Sequence, residues 1–152
     1  MAVRVAKAEW RGNLPKGSGT LETETGAVKG NYSFASRFEE GAGTNPEELI
    51  AAAHAGCFSM AFANGLAQAG FDPTSVKTTA KAYLEKGPEG FGISRIELAC
   101  VANVPGIGET AFQEHAQAAK DGCPISKALS ATSIEQTATL EGKVSPSGMV
   151  LQ

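Results

Sequence analysis

The chain has no basic stripe. Its 13 Lys and Arg are scattered singly among 16 Asp and Glu, for a net charge of −3. Phosphate backbones are bound by cations gathered on one face, so nucleic acid is excluded as the expected partner. Cysteine is scarce as well: three residues, odd in number and irregularly placed, do not make a secreted disulfide framework. Any disulfide formed here is transient and chemical, which points to redox work. No apolar run is read as reaching membrane-spanning length, and Arg4 and Lys7 stand where a signal peptide needs its apolar stretch. The expectation is a cytoplasmic protein with no membrane partner. Charged residues make up 19% and apolar ones 42%, which fits neither disorder nor a membrane class. With 152 residues the expected organisation is one domain over 3–141 and a C-terminal tail over 142–152, to which no role is assigned.

What is present divides into two grammars. Val3 to Trp10, Thr20 to Thr25 and Asn31 to Phe34 are short strand candidates separated by glycine-rich turns, and together predict a small antiparallel meander. At Asn45-Pro46-Glu47-Glu48 the pattern changes to a helix start, with Asn45 at the N-cap and Pro46 at the first helical position. This helix runs to Gly70 with almost no charge, so burial on all sides is expected, and a second copy of the chain is the expected cover. Two longer strands, Ser75 to Glu85 and Gly92 to Val104, read as a hairpin. A helix over Gly108 to Lys120 follows, then a break at Asp121-Gly122-Cys123-Pro124, a short turn over Ile125 to Leu129, and a last strand over Thr132 to Leu140.

The residues able to do chemistry are few. Cys57 lies mid-helix, where a small buried hydrophobe is the plain reading. A reactive Cys57 needs a cation from elsewhere to bring its pKa down from about 8.5, and Arg37, read as lying on a strand, is the candidate. Cys123, between Gly122 and Pro124, falls at the N-cap of a short helix, where free amides favour a thiolate; on local chemistry it is the more acidic thiol. Cys100 sits in an apolar strand and reads as filler. His54, one turn before Cys57, leaves open a Cys-His hydrolase. A non-enzymatic sensor of an apolar ligand or of redox state is the other alternative. His54, Cys57, Cys123 and His115 lack the spacing of a zinc site.

Taken together, Phe34-Ala35-Ser36-Arg37-Phe38-Glu39, Gly43-Thr44-Asn45-Pro46-Glu47-Glu48-Leu49-Ile50, Ala52 to Met60 and Gly122-Cys123-Pro124-Ile125-Ser126 resemble the OsmC/Ohr family, specifically its OsmC branch. The resemblance implies an α+β fold in which antiparallel sheets wrap around long buried central helices in an intertwined homodimer. It implies thiol-dependent reduction of organic hydroperoxides and hydrogen peroxide without metal or organic cofactor. Cys57 matches the family's peroxidatic cysteine and Cys123 its resolving cysteine; Arg37 and Glu47 match the arginine and acid that activate the thiolate. On this point the resemblance overrides the local preference for Cys123. The reductant implied is a dithiol, a role that lipoylated proteins fill in the Ohr branch.

Overall fold

The computed structural model describes residues 1–142; the expected tail lies outside them from residue 143. The chain forms two compact units, Met1–Leu49 and the part from Ile50 onward.

The first unit is built on strands β1 (Ala6–Arg11), β2 (Ser18–Thr23) and β3 (Lys29–Tyr32), an antiparallel meander in the order β1-β2-β3, as the sequence predicts. Trp10 and Tyr32 both pair with Gly19. Their rings meet over it at 5.4 Å between centroids. A Cβ on Gly19 would stand 2.4 Å from the Tyr32 ring and 2.8 Å from Trp10, so only glycine lets the aromatic pair close. Phe34 and Arg37 do not continue a strand, contrary to the sequence reading. The chain enters a short helix, α1 (Phe34–Phe38), because Ser33 and Ser36 form a reciprocal capping box: each hydroxyl accepts from the other's amide, at 3.1 and 2.8 Å. Two satisfied helix-terminal donors outweigh the strand preference of two phenylalanines.

Helix α2 (Pro46–Gln68) starts where predicted, with Asn45 Oδ1 accepting from the Glu48 amide at 2.7 Å. It ends ahead of Gly70, whose φ of 90° gives the left-handed turn expected there. Two expectations need correction. At 23 residues, with a mean hydropathy of 1.4 over its best window, α2 does reach membrane-spanning length and composition. The same lack of charge is explained by its place in a core: His54, Phe58, Phe62 and Leu66, four residues apart, are all fully covered. Nor is α2 buried all round within one chain. Ala52, Ala53, Gly56, Met60 and Asn64 form an exposed row, with Met60 at 76%.

In the second unit α2 packs on a sheet ordered β4-β5-β6, formed by β4 (Ser75–Gly87), β5 (Gly90–Asn103) and β6 (Ser133–Leu140). β4 and β5 make the predicted antiparallel hairpin; β6 runs parallel to β5. Parallel pairing requires a long crossover, and α3 (Glu109–Gly122) with α4 (Pro124–Ala128) supplies it. Along β5 every second residue, Ile96, Leu98, Cys100 and Ala102, is buried, the strand period that makes Cys100 core filler. Phe62 joins Phe58 and Phe112 at centroid distances of 5.8 and 5.3 Å. Truncating any one of these rings costs on the order of 3–5 kcal/mol, a large share of a small protein's stability.

Candidate active site

Two constellations emerge, one in each unit. In the first, the loop between α1 and α2 is tied down so that Arg37 faces Glu47. Ser36 Oγ donates to the Thr44 carbonyl at 2.7 Å, Asn45 Nδ2 donates to the Ser36 carbonyl at 3.0 Å, and Thr44 Oγ1 donates to Glu48 at 2.8 Å. Gly43 reaches the required bend at a φ of 115°, and a Cβ there would meet the Asn31 carbonyl at 2.6 Å. With the loop so held, Arg37 Nη2 donates to Glu47 Oε1 at 2.7 Å and Nε to both carboxylate oxygens at 3.2 and 3.3 Å. Glu47 is buried, while the Arg37 side chain keeps 36% of its surface open. The carboxylate also occupies the first turn of α2, where the helix dipole favours negative charge. A guanidinium locked by a fork-like contact and still partly open is a preorganised anion binder.

In the second unit Cys57 and Cys123 are brought together. Both are free, and Cys123 Sγ donates to Cys57 Sγ at 2.6 Å. Cys123 caps the start of α4 with Pro124 behind it, as the sequence predicts. The two thiols are driven in opposite directions. Burial, the hydrogen bond with Cys123 and the charge of its neighbour push Cys57 up, against a smaller pull from the Ile125 amide. Burial pushes Cys123 up too, but the Cys57 thiol, the amide and hydroxyl of Ser126 and the Ile125 amide outweigh it and bring Cys123 down. The two thiols titrate as a coupled pair, and Cys123 is the one whose surroundings favour the charged form. Burial raises the third thiol, Cys100, in keeping with a structural role.

His54 does not pair with Cys57. It is fully buried, its Nε2 lies 2.7 Å from Ser126 Oγ, and its Nδ1 has no partner. Neither ring nitrogen is bonded to the Cys57 sulfur, so the contact a Cys-His hydrolase needs is not made. Among the described residues no cluster fit to hold a metal occurs. Phe58 and Phe62 are fully buried in the core, whereas Ala53 and Met60 are the exposed apolar neighbours of Cys57 on its own helix. Ser126 was not singled out from sequence. Its signal was the spacing Cys123-Pro124-Ile125-Ser126, which places an N-cap residue and its third successor side by side.

A family profile described as OsmC-like protein matches residues 39–138. The chain is 49% identical over 126 residues to peroxiredoxin OsmC of Escherichia coli (strain K12), covering 82% of this chain and 88% of that protein. It is 28% identical over 130 residues to the organic hydroperoxide resistance protein OhrB of Bacillus subtilis (strain 168), covering 84% and 91%. Among solved structures, the organic hydroperoxide resistance protein OsmC from Legionella pneumophila superimposes with a TM-score of 0.68 at 25% identity, covering 92% of this chain and 98% of that one.

Proposed function

The chain belongs to the OsmC family, and on that premise we propose that it is a thiol-dependent peroxidase that reduces organic hydroperoxides, and hydrogen peroxide, through a Cys57 sulfenic acid resolved by Cys123. The observation that carries this reading is the contact between the two sulfurs at 2.6 Å. Cys57 thiolate attacks the distal peroxide oxygen, the O–O bond breaks, and the departing alkoxide takes up a proton to leave as alcohol. Cys123 already touches the sulfur on which the sulfenic acid forms, so resolution needs little rearrangement before over-oxidation intervenes. Both electrons come from the thiols, and a dithiol then reduces the disulfide. Residues 3–141 act as one catalytic domain in this scheme, and the thiol chemistry suits the reducing cytosol.

Cys57 is not ready alone, since its surroundings hold it protonated. The Arg37 guanidinium, oriented by Glu47, is the cation that makes it a thiolate and steadies charge developing on the peroxide oxygens. Apolar Ala53 and Met60 stand beside Cys57, and a second helix laid along the same row would complete an apolar surface for an organic tail. In the assay that tests the reading, the protein is mixed with tert-butyl hydroperoxide and dithiothreitol, and hydroperoxide loss is followed. Catalytic consumption far above the dithiol alone is expected; none above that background rejects the peroxidase.

For the second copy expected from sequence, α2 is the face we propose. Ala52, Ala53, Gly56, Met60 and Asn64 form an uncharged row of mostly small residues that lets another backbone approach closely. A homodimer closed over this row supplies the burial that one chain lacks. Met60→Glu would then trap an unpaired charge at the contact, at a cost of several kcal/mol. Sedimentation is expected to show a dimer for the natural chain and a monomer for Met60→Glu. A natural chain that sediments as a monomer refutes the arrangement.

A further inference from the structure

We propose that His54 and Ser126 are positioning residues for the resolving step: a buried donor chain running from His54 Nε2 through Ser126 Oγ to Cys123 Sγ holds Cys123 as the nucleophile that attacks oxidised Cys57. The proposal rests on the peroxidase reading and extends it to residues outside the Cys57, Cys123, Arg37 and Glu47 set.

The case starts from an imidazole that is fully buried and half satisfied. His54 Nε2 meets Ser126 Oγ at 2.7 Å, and Nδ1 has no partner. Burial lowers the His54 pKa, so the ring is neutral at pH 7 and carries one proton on one of its two nitrogens. A buried N–H without an acceptor is costlier than a lone pair without a donor, which places the proton on Nε2 and leaves Nδ1 bare. Nε2–H then donates to Ser126 Oγ. That hydroxyl has its own proton left to give, and Ser126 stands three residues after the N-cap Cys123, the position whose side chain faces the cap. Independently, the Ser126 hydroxyl is among the groups that bring Cys123 down. In the proposed chain the proton order then runs from nitrogen to hydroxyl and from hydroxyl toward sulfur. A hydroxyl polarised by a donor behind it is a stronger donor itself.

The resolving step then balances. Cys123 thiolate attacks the Cys57 sulfenic sulfur, an S–S bond forms and the S–O bond breaks. The departing hydroxide recovers the proton that Cys123 had lost and leaves as water. Cys123 is oxidised and the Cys57 sulfur reduced by the same electron pair. Cys57 lies on the same helix as His54, and Lys120, Asp121 and Lys127 line with Ser126 a surface groove, so these titratable groups stand nearby.

The experiment separates the two chemical steps by stopped flow with one equivalent of tert-butyl hydroperoxide. In Ser126→Ala, sulfenic acid should form on Cys57 at the natural rate. Disulfide formation should slow about tenfold at pH 7, the weight of one hydrogen bond to a charged group, and its pH profile should move upward. Ser126→Thr, which keeps the hydroxyl, should restore both rate and profile; a merely structural role for Ser126 would not produce that pattern. His54→Leu should act like Ser126→Ala. Should it fail to fold, Ser126→Ala decides alone. A second readout does not depend on peroxide: in the Cys57→Ser background, thiolate absorbance should show Cys123 titrating at higher pH once Ser126 is alanine. An upward shift there without any sulfenic acid in the natural chain would sink the peroxidase and leave the donor chain standing. An unchanged resolution rate together with an unchanged Cys123 titration in Ser126→Ala overturns the proposal.

Discussion

Cys57→Ser protein is expected to lose peroxide turnover by at least about a thousandfold, whereas Cys123→Ser is expected to reduce one equivalent of hydroperoxide and then stop. The asymmetry follows from the order of events rather than from acidity. The surroundings of Cys123 bring its pKa down and those of Cys57 push it up, and an argument from acidity alone would make Cys123 the attacking sulfur. Cys123, however, is fully buried, whereas Cys57 is only partly covered. On the proposed mechanism a peroxide reaches the partly open sulfur first, and a guanidinium supplied there would reverse the acidity order by favouring charge on Cys57. With Cys123 replaced by serine the sulfenic acid has no thiol in contact, so further peroxide carries it to sulfinic acid. Mass spectrometry after one equivalent of hydroperoxide checks the assignment. Sulfenic acid on Cys57 in the Cys123→Ser protein is the expected product; sulfenic acid on Cys123 in the Cys57→Ser protein, with turnover retained, would reverse the two roles.

Much of this site was legible in the sequence because its parts are local. Asn45-Pro46-Glu47-Glu48 fixes a helix start by capping chemistry that acts within four residues, and the same holds for Cys123-Pro124. Alternation along β5 separates Cys100, buried in step with Ile96, Leu98 and Ala102, from the two thiols that meet elsewhere. What stayed hidden depends on contacts far apart in the chain. Ser126 becomes interesting only when α2 and α4 pack, 72 residues apart in sequence, and set its hydroxyl against His54. The parallel placement of β6 beside β5 is likewise decided by how the crossover helices pack, which no pattern within the strand records. Phe34 and Phe38 misled for the opposite reason: their strand preference is real, but a capping box two serines long overrode it. The apolar character of α2 was read correctly as a demand for burial, yet a single chain meets that demand only along the row from His54 to Leu66.

The remaining large effect concerns where Glu47 acts. Glu47 lies in the first turn of α2 and Cys57 ten positions later on the same helix, which is continuous from Pro46 to Gln68. Ten residues of helix rise about 15 Å, and helical side chains lean toward the N-terminus, so Glu47 points away from the Cys57 of its own chain. Arg37 is locked onto Glu47 within that chain, so the two travel together. A second copy running antiparallel along the exposed row of α2 would bring its Arg37–Glu47 pair beside Cys57, and each dimer would then hold two sites, each completed in trans. Glu47→Ala and Cys57→Ser proteins, both nearly inactive alone, are therefore expected to regain activity when mixed and allowed to exchange subunits. Random exchange of equal amounts makes half the dimers mixed, and each mixed dimer has one intact site. Arg37→Met should complement Cys57→Ser in the same way. Arg37→Met mixed with Glu47→Ala should recover nothing, because each site in that dimer takes its cysteine from one chain and a damaged pair from the other. If labelled subunits are seen to exchange and the first mixture stays inactive, the carboxylate serves the Cys57 of its own chain, and α2 must bend or break between Glu48 and Cys57 during catalysis.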